Sequence, residues 1–205
     1  MQSAKRALSD SVAVALGALD HPASHVTRKF ASDFATKDGC VIWGTSLRAN
    51  PDLAAFVNGS LLRCFDYNDF YVGERNSGHP SDMAAGVITA AEWIGASGKD
   101  ALVALAVGYE VVGAVFDAFS TAPGGWDYTN LTAIGACAAF ARLLGLSEEQ
   151  AREAFGITVT NRAGALQTKI KPPVPNHLTT DRSGTDDAMH CRSRSLLSSR
   201  VFCPQ

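Results

Sequence analysis

The chain has 205 residues, 46% of them hydrophobic and 19% charged, with a formal net charge of −2. That length can bury a real core, and this balance of apolar content and charge excludes a disordered chain. An isoelectric point of about 6.2 argues against a nucleic-acid partner, and no apolar run reaches the roughly 18 to 20 residues of a membrane helix, so neither nucleic acid nor membrane is expected as a partner.

Leu8, Val12, Leu16 and Leu19 recur at helical spacing, and Asp10 and Asp20 bracket the apolar stretch Ser11 to Leu19, which predicts a first amphipathic helix over 3–18 rather than a cleaved signal. His21-Pro22 breaks it, and Ser24 is placed as the cap of a second helix to Lys37. Val41-Ile42-Trp43 reads as a short extended piece closed by Gly44. Asn50, Pro51 and Asp52 are an N-cap, a first-turn proline and a first-turn acid. Behind them Leu53, Phe56, Val57, Leu61 and Cys64 form the expected core stripe of a third helix.

A polar loop follows from Asp66 to Pro80. Ser81 and Asp82 open a small-residue helix to Ala96. A longer helix over 100–120 is apolar almost all round and is expected at the centre of the domain, with Glu110 either at a cavity edge or, as the plainer choice, buried and paired. An alanine-rich helix over 129–144 ends at Gly145. Ser147-Glu148-Glu149-Gln150 is a capping box for a last helix to Val159. Seven helices and almost no strand signal define an all-α domain.

Five cysteines, Cys40, Cys64, Cys137, Cys191 and Cys203, are odd in number and widely spaced. They suggest no zinc ribbon and no redox pair. Cys64 and Cys137 sit in apolar helical patterns, which points to a reducing compartment: the cytoplasm, or the mitochondrion in a eukaryote. His21 and His25 lack a third ligand, so capping or surface roles are expected for them. No metal and no cofactor is expected.

Chemistry is most concentrated in the loop from Phe65 to Asp82, which gathers carboxylates, an amide, His79 and two tyrosines between apolar helices. His79 lies just before a helix N-terminus, which disfavours imidazolium, so it could accept a proton from a bound acid. Asp66 or Asp69 could orient its ring. On spacing alone the plainer alternative stands beside this: Asp66 and Asp69 cap helix ends, and His79-Pro80 is a rigid turn.

Phe65-Asp66-Tyr67-Asn68-Asp69 followed by Gly78-His79-Pro80-Ser81-Asp82 resembles the signature of the MmgE/PrpD family, which includes 2-methylcitrate dehydratase and cis-aconitate decarboxylase. The likeness extends over about residues 5–170, through Leu19 to Ser24, Val41 to Thr45, Ala54 to Gly59, Gly125 to Asp127, Ala141 to Gln150 and Ala165 to Lys169. It implies a metal-independent lyase with a helical domain, an α+β lid absent from this chain, and a homodimeric assembly. The implied substrate is a small di- or tricarboxylic acid. Dehydration of the 2-methylcitrate type is expected, with a decarboxylase of the cis-aconitate type or a non-catalytic helical interaction fragment as alternatives. By motif, His79 and Asp66 fall on catalytic positions, and Asn68, Asp69, Ser81 and Asp127 on substrate-binding ones. Arg75 and Lys169 are the cationic candidates.

Three departures accompany the resemblance. Phe70 stands where the family usually has a small hydroxyl residue. Asp127-Tyr128 stands where some members carry histidine. Beyond Ile170 the likeness stops where the composition shifts: residues 171–205 hold four of the eight prolines and five basic against three acidic residues. The helical domain is therefore expected to end at 170, incomplete, followed by a disordered tail or the product of a shifted reading frame. The coincidence of the two breaks favours the latter, and an impaired enzyme is expected.

Overall fold

The computed structural model describes residues 1–160. Seven α-helices are present there: α1 (Gln2–Gly17), α2 (Pro22–Ser32), α3 (Pro51–Arg63), α4 (Ala84–Trp93), α5 (Gly98–Ala118), α6 (Thr129–Leu144) and α7 (Glu148–Thr160). Two small antiparallel hairpins interrupt them: β1 (Ala35–Val41) with β2 (Arg48–Ala49), and β3 (Tyr71–Val72) with β4 (Ser77–Gly78). The domain is mostly helical, as expected. The expected boundary at 170, the tail and Lys169 lie outside the described residues.

Local signals set most helix ends. Pro51 occupies the first position of α3. Gly145 closes α6 in the left-handed conformation at φ 64°, which glycine adopts without steric cost. The capping box forms reciprocally: the Ser147 hydroxyl accepts the Gln150 N–H at 3.2 Å, and the Gln150 side chain accepts the Ser147 N–H at 2.9 Å.

Elsewhere the expected elements shift. The cap of α2 is His21, whose Nδ1 accepts the Ala23 N–H, not Ser24. The helix ends at Ser32 because the chain turns into β1, which is longer than the extended piece foreseen. Both β1 and β2 are tied to α4 through Glu92, which accepts from the Val41 N–H and pairs with Arg48 at 2.9 Å. In α3 the buried face is Ala54, Val57, Asn58, Leu61 and Leu62, whereas Phe56 is 57% exposed. The helix is rotated so that Asn58 points inward, where its side chain bonds both the Trp43 N–H and the Val41 carbonyl. Those two bonds compensate its desolvation.

The core gathers α1, α3, α4, α5 and α6, with Ile42, Leu61, Leu62, Leu105, Val112 and Phe116 fully buried. Each such side chain contributes about 1.5–3 kcal/mol of transfer free energy. By length and composition α5 can cross a membrane: it has 21 residues and a window of mean hydropathy 1.7. It is nonetheless no uninterrupted apolar run, since Lys99, Asp100, Glu110 and Asp117 lie within it. The average absorbs Glu110, which is exposed on α5 rather than buried and paired. The opposite face, with Ala104, Leu105, Val112 and Phe116, is buried in the core. The helices α5 and α6 cross on glycines. A Cβ on Gly135 would lie 2.8 Å from the Gly108 carbonyl oxygen, so the backbones touch at a point no larger residue fits.

Candidate functional site

The loop between α3 and α4 is not irregular. It folds into the β3–β4 hairpin and a 3₁₀ turn, Pro80–Met83, that leads into α4. The end of α5 anchors the hairpin. The Asn76 N–H bonds the Phe116 carbonyl at 2.9 Å, and the Asp117 carboxylate accepts from the Glu74 N–H and the Tyr71 hydroxyl. This anchoring holds the two motif segments of the loop, 66–69 and 78–82, against each other.

Asp66 stands just past the end of α3, with its N–H bonded to the Arg63 carbonyl and φ at 53°. Aspartate tolerates this left-handed conformation better than most residues. The conformation turns its carboxylate toward His79, with Oδ1 3.4 Å from Nε2. The Asp66 side chain is 60% exposed and that of His79 only 12%. On the other side of the ring, Nδ1 lies 2.6 Å from the Asp69 main-chain oxygen. A carbonyl can only accept, so Nδ1 carries a hydrogen and Nε2 is the nitrogen turned toward Asp66. The orienting group for His79 is thus a backbone carbonyl, not a carboxylate.

Arg63, in the last turn of α3, organises the remaining polar groups. Its guanidinium reaches Asp66 at 2.7 Å, Asp82 at 3.2 Å and the Asn68 side-chain oxygen at 2.5 Å. Burial works against its charge, but Asp82, Tyr128 and Asp66 outweigh that and hold it above its ordinary value. Burial pushes the Asp82 carboxyl above the usual carboxylate range, against the opposing pull of Arg63, His79, Tyr128 and Asn68. The Tyr128 hydroxyl donates to Asp82 at 3.0 Å. Burial first, then the Asp82 charge, drives that hydroxyl upward, so it serves as a hydrogen-bond donor and not as an acid.

Aromatic rings flank the histidine: Phe70 meets it edge-on at 5.1 Å between centroids, and Tyr128 lies at 5.9 Å. The Tyr128 ring rests on Gly78, where a Cβ would come within 2.2 Å of it. Only glycine allows that approach.

Of the expected site residues, Asp66, Asn68, Asp69, His79 and Ser81 come together here. Asn68 donates to the Ser81 hydroxyl at 2.7 Å, and Asp69 Oδ1 accepts the Ser81 N–H at 3.0 Å. Asn68, Asp69 and Ser81 are buried beneath the Asp66–His79 pair. Asp127 lies in the turn that starts α6, where its carboxylate accepts the Thr129 N–H at 2.9 Å. Arg75 is exposed near the hairpin turn, held by its main-chain N–H to Phe116. Among the described residues, the cation within the cluster is Arg63, which was not one of the expected site residues. Its position three residues before Asp66, on the helix leading into the loop, was the available signal. Tyr128 was noted only as a departure, and it stands at the heart of the cluster. Among the described residues, no group of three or more His, Cys, Asp or Glu side chains is arranged to hold a metal ion.

Comparison with known proteins agrees with the resemblance. A family model for the MmgE/PrpD N-terminal domain matches residues 1–180. A cis-aconitate decarboxylase-like protein of Aspergillus oryzae is 27% identical over 98% of this chain and 44% of its own length. The 2-methylcitrate dehydratase of Escherichia coli is 29% identical over 73% of this chain and 33% of its own. Human cis-aconitate decarboxylase is 27% identical over 87% of this chain and 38% of its own. The chain therefore spans about a third to under half the length of these relatives. With its helical architecture and a match running from residue 1 to 180, the chain belongs to the MmgE/PrpD family and carries its N-terminal domain.

Proposed function

We propose that the chain carries the acid–base half of a lyase active site, which removes water from a small tricarboxylic acid in the manner of 2-methylcitrate dehydratase. The observation that supports this most is the His79 ring. Its Nδ1 is held by a backbone carbonyl, and its Nε2 faces the exposed Asp66 carboxylate. In the proposed step, Nε2 takes the proton from a carbon next to a substrate carboxylate. The hydroxyl on the neighbouring carbon departs and leaves as water with a proton from the Asp66–His79 pair. One proton enters the pair and one leaves it, and a carbon–carbon double bond forms. Phe70 and Tyr128 shield one side of the ring from water, which strengthens the electrostatic contacts of the pair.

The described residues place one cation in the cluster, Arg63, and it is already paired with Asp66 and Asp82. A substrate with several negative charges needs more neutralisation than that. Residues 1–160 by themselves are therefore proposed to bind such acids weakly, and the 205-residue chain is proposed to turn them over slowly or not at all. A second reading, decarboxylation of the cis-aconitate type, draws on the relatives that bear that name. A non-catalytic helical fragment is the third; under the first reading, a homodimer and a role in propionate metabolism are proposed with it.

The test offers purified chain 2-methylcitrate and cis-aconitate separately and identifies products by mass. Water loss from 2-methylcitrate that disappears in His79→Gln supports the dehydratase reading. Loss of carbon dioxide from cis-aconitate supports the second. Dehydration at an ordinary enzymatic rate of roughly 1–1,000 per second would overturn the proposed impairment.

A further inference from the structure

Asp66 and His79 face each other without a bond that holds them there. Nδ1 carries the hydrogen of the ring, because it meets the Asp69 main-chain oxygen at 2.6 Å. Nε2 of the neutral ring therefore presents a lone pair, and the ionised Asp66 carboxylate 3.4 Å away presents others. Two acceptors do not attract each other until a proton lies between them. The Asp66 side chain is also exposed, and an exposed side chain is free to exchange rotamers. Its place beside Nε2 needs a third group.

Arg63 is that group. It grips Asp66 at both ends. Its main-chain oxygen accepts the Asp66 N–H at 3.2 Å, and Nη2 lies 2.7 Å from Oδ1, the same oxygen that faces the ring. The guanidinium is itself fixed from the inside. Nε pairs with the largely buried Asp82 at 3.2 Å, and Nη1 donates to Asn68 Oδ1 at 2.5 Å. Asp82 is held in turn by the Tyr128 hydroxyl at the start of α6, at 3.0 Å, and by the Asn68 amide at 3.3 Å. A planar guanidinium serves three acceptors in fixed directions, which an ammonium does not.

We propose that Arg63 is a positioning residue for the Asp66–His79 pair: anchored on Asp82 and Asn68, it holds the Asp66 carboxylate against Nε2 while the ring is neutral and no hydrogen bond joins the two. The carboxylate is then already in place when Nε2 takes a proton, and the new N–H finds its acceptor without a rotamer change. This deepens the proposed lyase function and rests on the Asp66–His79 pair being its proton-transfer group. Arg63 acts through Asp66, and Asp82 and Tyr128 act through Arg63.

The test reads the Asp66 side chain directly. The full 205-residue chain is labelled with ¹⁵N and ¹³C and studied by NMR at about pH 9, above the ordinary histidine range. Three-bond couplings from the Asp66 Cγ to its backbone nitrogen and carbonyl carbon report its χ1 rotamer. One dominant rotamer is expected in the wild type. In Arg63→Gln the ratio of that rotamer to the others should fall by about fivefold, the upper range for an ion pair this exposed. Asp69, buried with its carboxylate on the Ser81 N–H, should keep its couplings. If Arg63→Gln does not fold, Arg63→Gln/Asp82→Asn takes its place. It leaves neither partner of the buried pair charged, and the same fall or its absence decides. A variant that melts earlier but leaves the Asp66 couplings unmoved would overturn the proposal, since Arg63 would then only balance Asp82. So would a wild-type Asp66 averaged over its rotamers, and so would averaging at Asp66 and Asp69 alike, which marks a loosened loop. No turnover is needed, so failure of the lyase assay and failure of this proposal are separate results.

Discussion

His79 Nε2 and Asp66 Oδ1 lie 3.4 Å apart although one residue is largely buried and the other largely exposed. The pair spans the boundary between a fixed interior and an open surface. His79 is held from behind by the chain, whereas Asp66 is held by the end of a helix and by Arg63. The proposed proton transfer suits this arrangement, because the ring that would exchange the proton is fixed while the carboxylate beside it is open to solvent.

Asp66 adopts a left-handed conformation at φ 53°. Asp66→Asn retains tolerance of that conformation and is expected to leave stability nearly unchanged. Asp66→Ala should cost about 1–2 kcal/mol from backbone strain alone. The exposed ion pair with Arg63 adds little to either change. Urea unfolding of both variants checks the difference, and any lyase activity should be lost in both.

Arg63 compensates the buried Asp82 charge at 3.2 Å. Arg63→Ala leaves that carboxylate without its cation and should destabilise the chain by about 3–5 kcal/mol. The double variant Arg63→Ala/Asp82→Asn should recover part of the loss, because no unpaired charge then remains. A double-mutant cycle measured by thermal unfolding gives the coupling; additive losses would contradict it.

Gly78 and Gly59 should respond in opposite directions to the same methyl group. A Cβ on Gly78 would come within 2.2 Å of the Tyr128 ring. Gly78→Ala must displace the ring and its bond to Asp82, at a cost of about 1–3 kcal/mol. Gly59 lies inside α3 with ordinary contact distance to Ala85, 3.9 Å. Gly59→Ala should stabilise by about 0.5–1 kcal/mol, because alanine loses less backbone entropy in a helix. Melting curves of the two variants settle both signs.

Burial first, and repulsion from Asp69 second, raise the Asp10 carboxyl above its ordinary range. The folded chain therefore holds that proton to higher pH than the unfolded chain does. Its ionised form costs stability at neutral pH, and the cost is absent below the unfolded aspartate range of about 3.9. Asp10→Asn should raise the melting temperature at pH 7, and the gain should shrink to nothing as the pH falls through that window. A gain that persists unchanged in acid would show that the charge is not its source.

Much of the architecture was legible in the sequence because its signals are local. Pro51, Gly145 and the Ser147–Gln150 box act within one helical turn of themselves, and they formed where expected. Apolar spacing located α3, yet it misjudged which face is covered. Phe56 matches the stripe as well as Leu61 does, and only the neighbouring elements decide that Asn58 goes inward and Phe56 outward. The loop motif brought Asp66, Asn68, Asp69, His79 and Ser81 forward as a group, and the fold gathers those five.

Distance in the chain hid the rest. Tyr128 reaches Asp82 across 46 positions, and the Asp117 carboxylate takes the Glu74 N–H across 43. The bond that orients His79 uses a main-chain oxygen, which every residue has and no motif can reveal. The residue types available for proton transfer were thus written in the sequence. The tertiary structure alone decided which nitrogen of His79 faces outward, and which charge Arg63 serves. Both depend on long-range packing of α5 and α6 against the loop, and packing of that kind has no period along the chain.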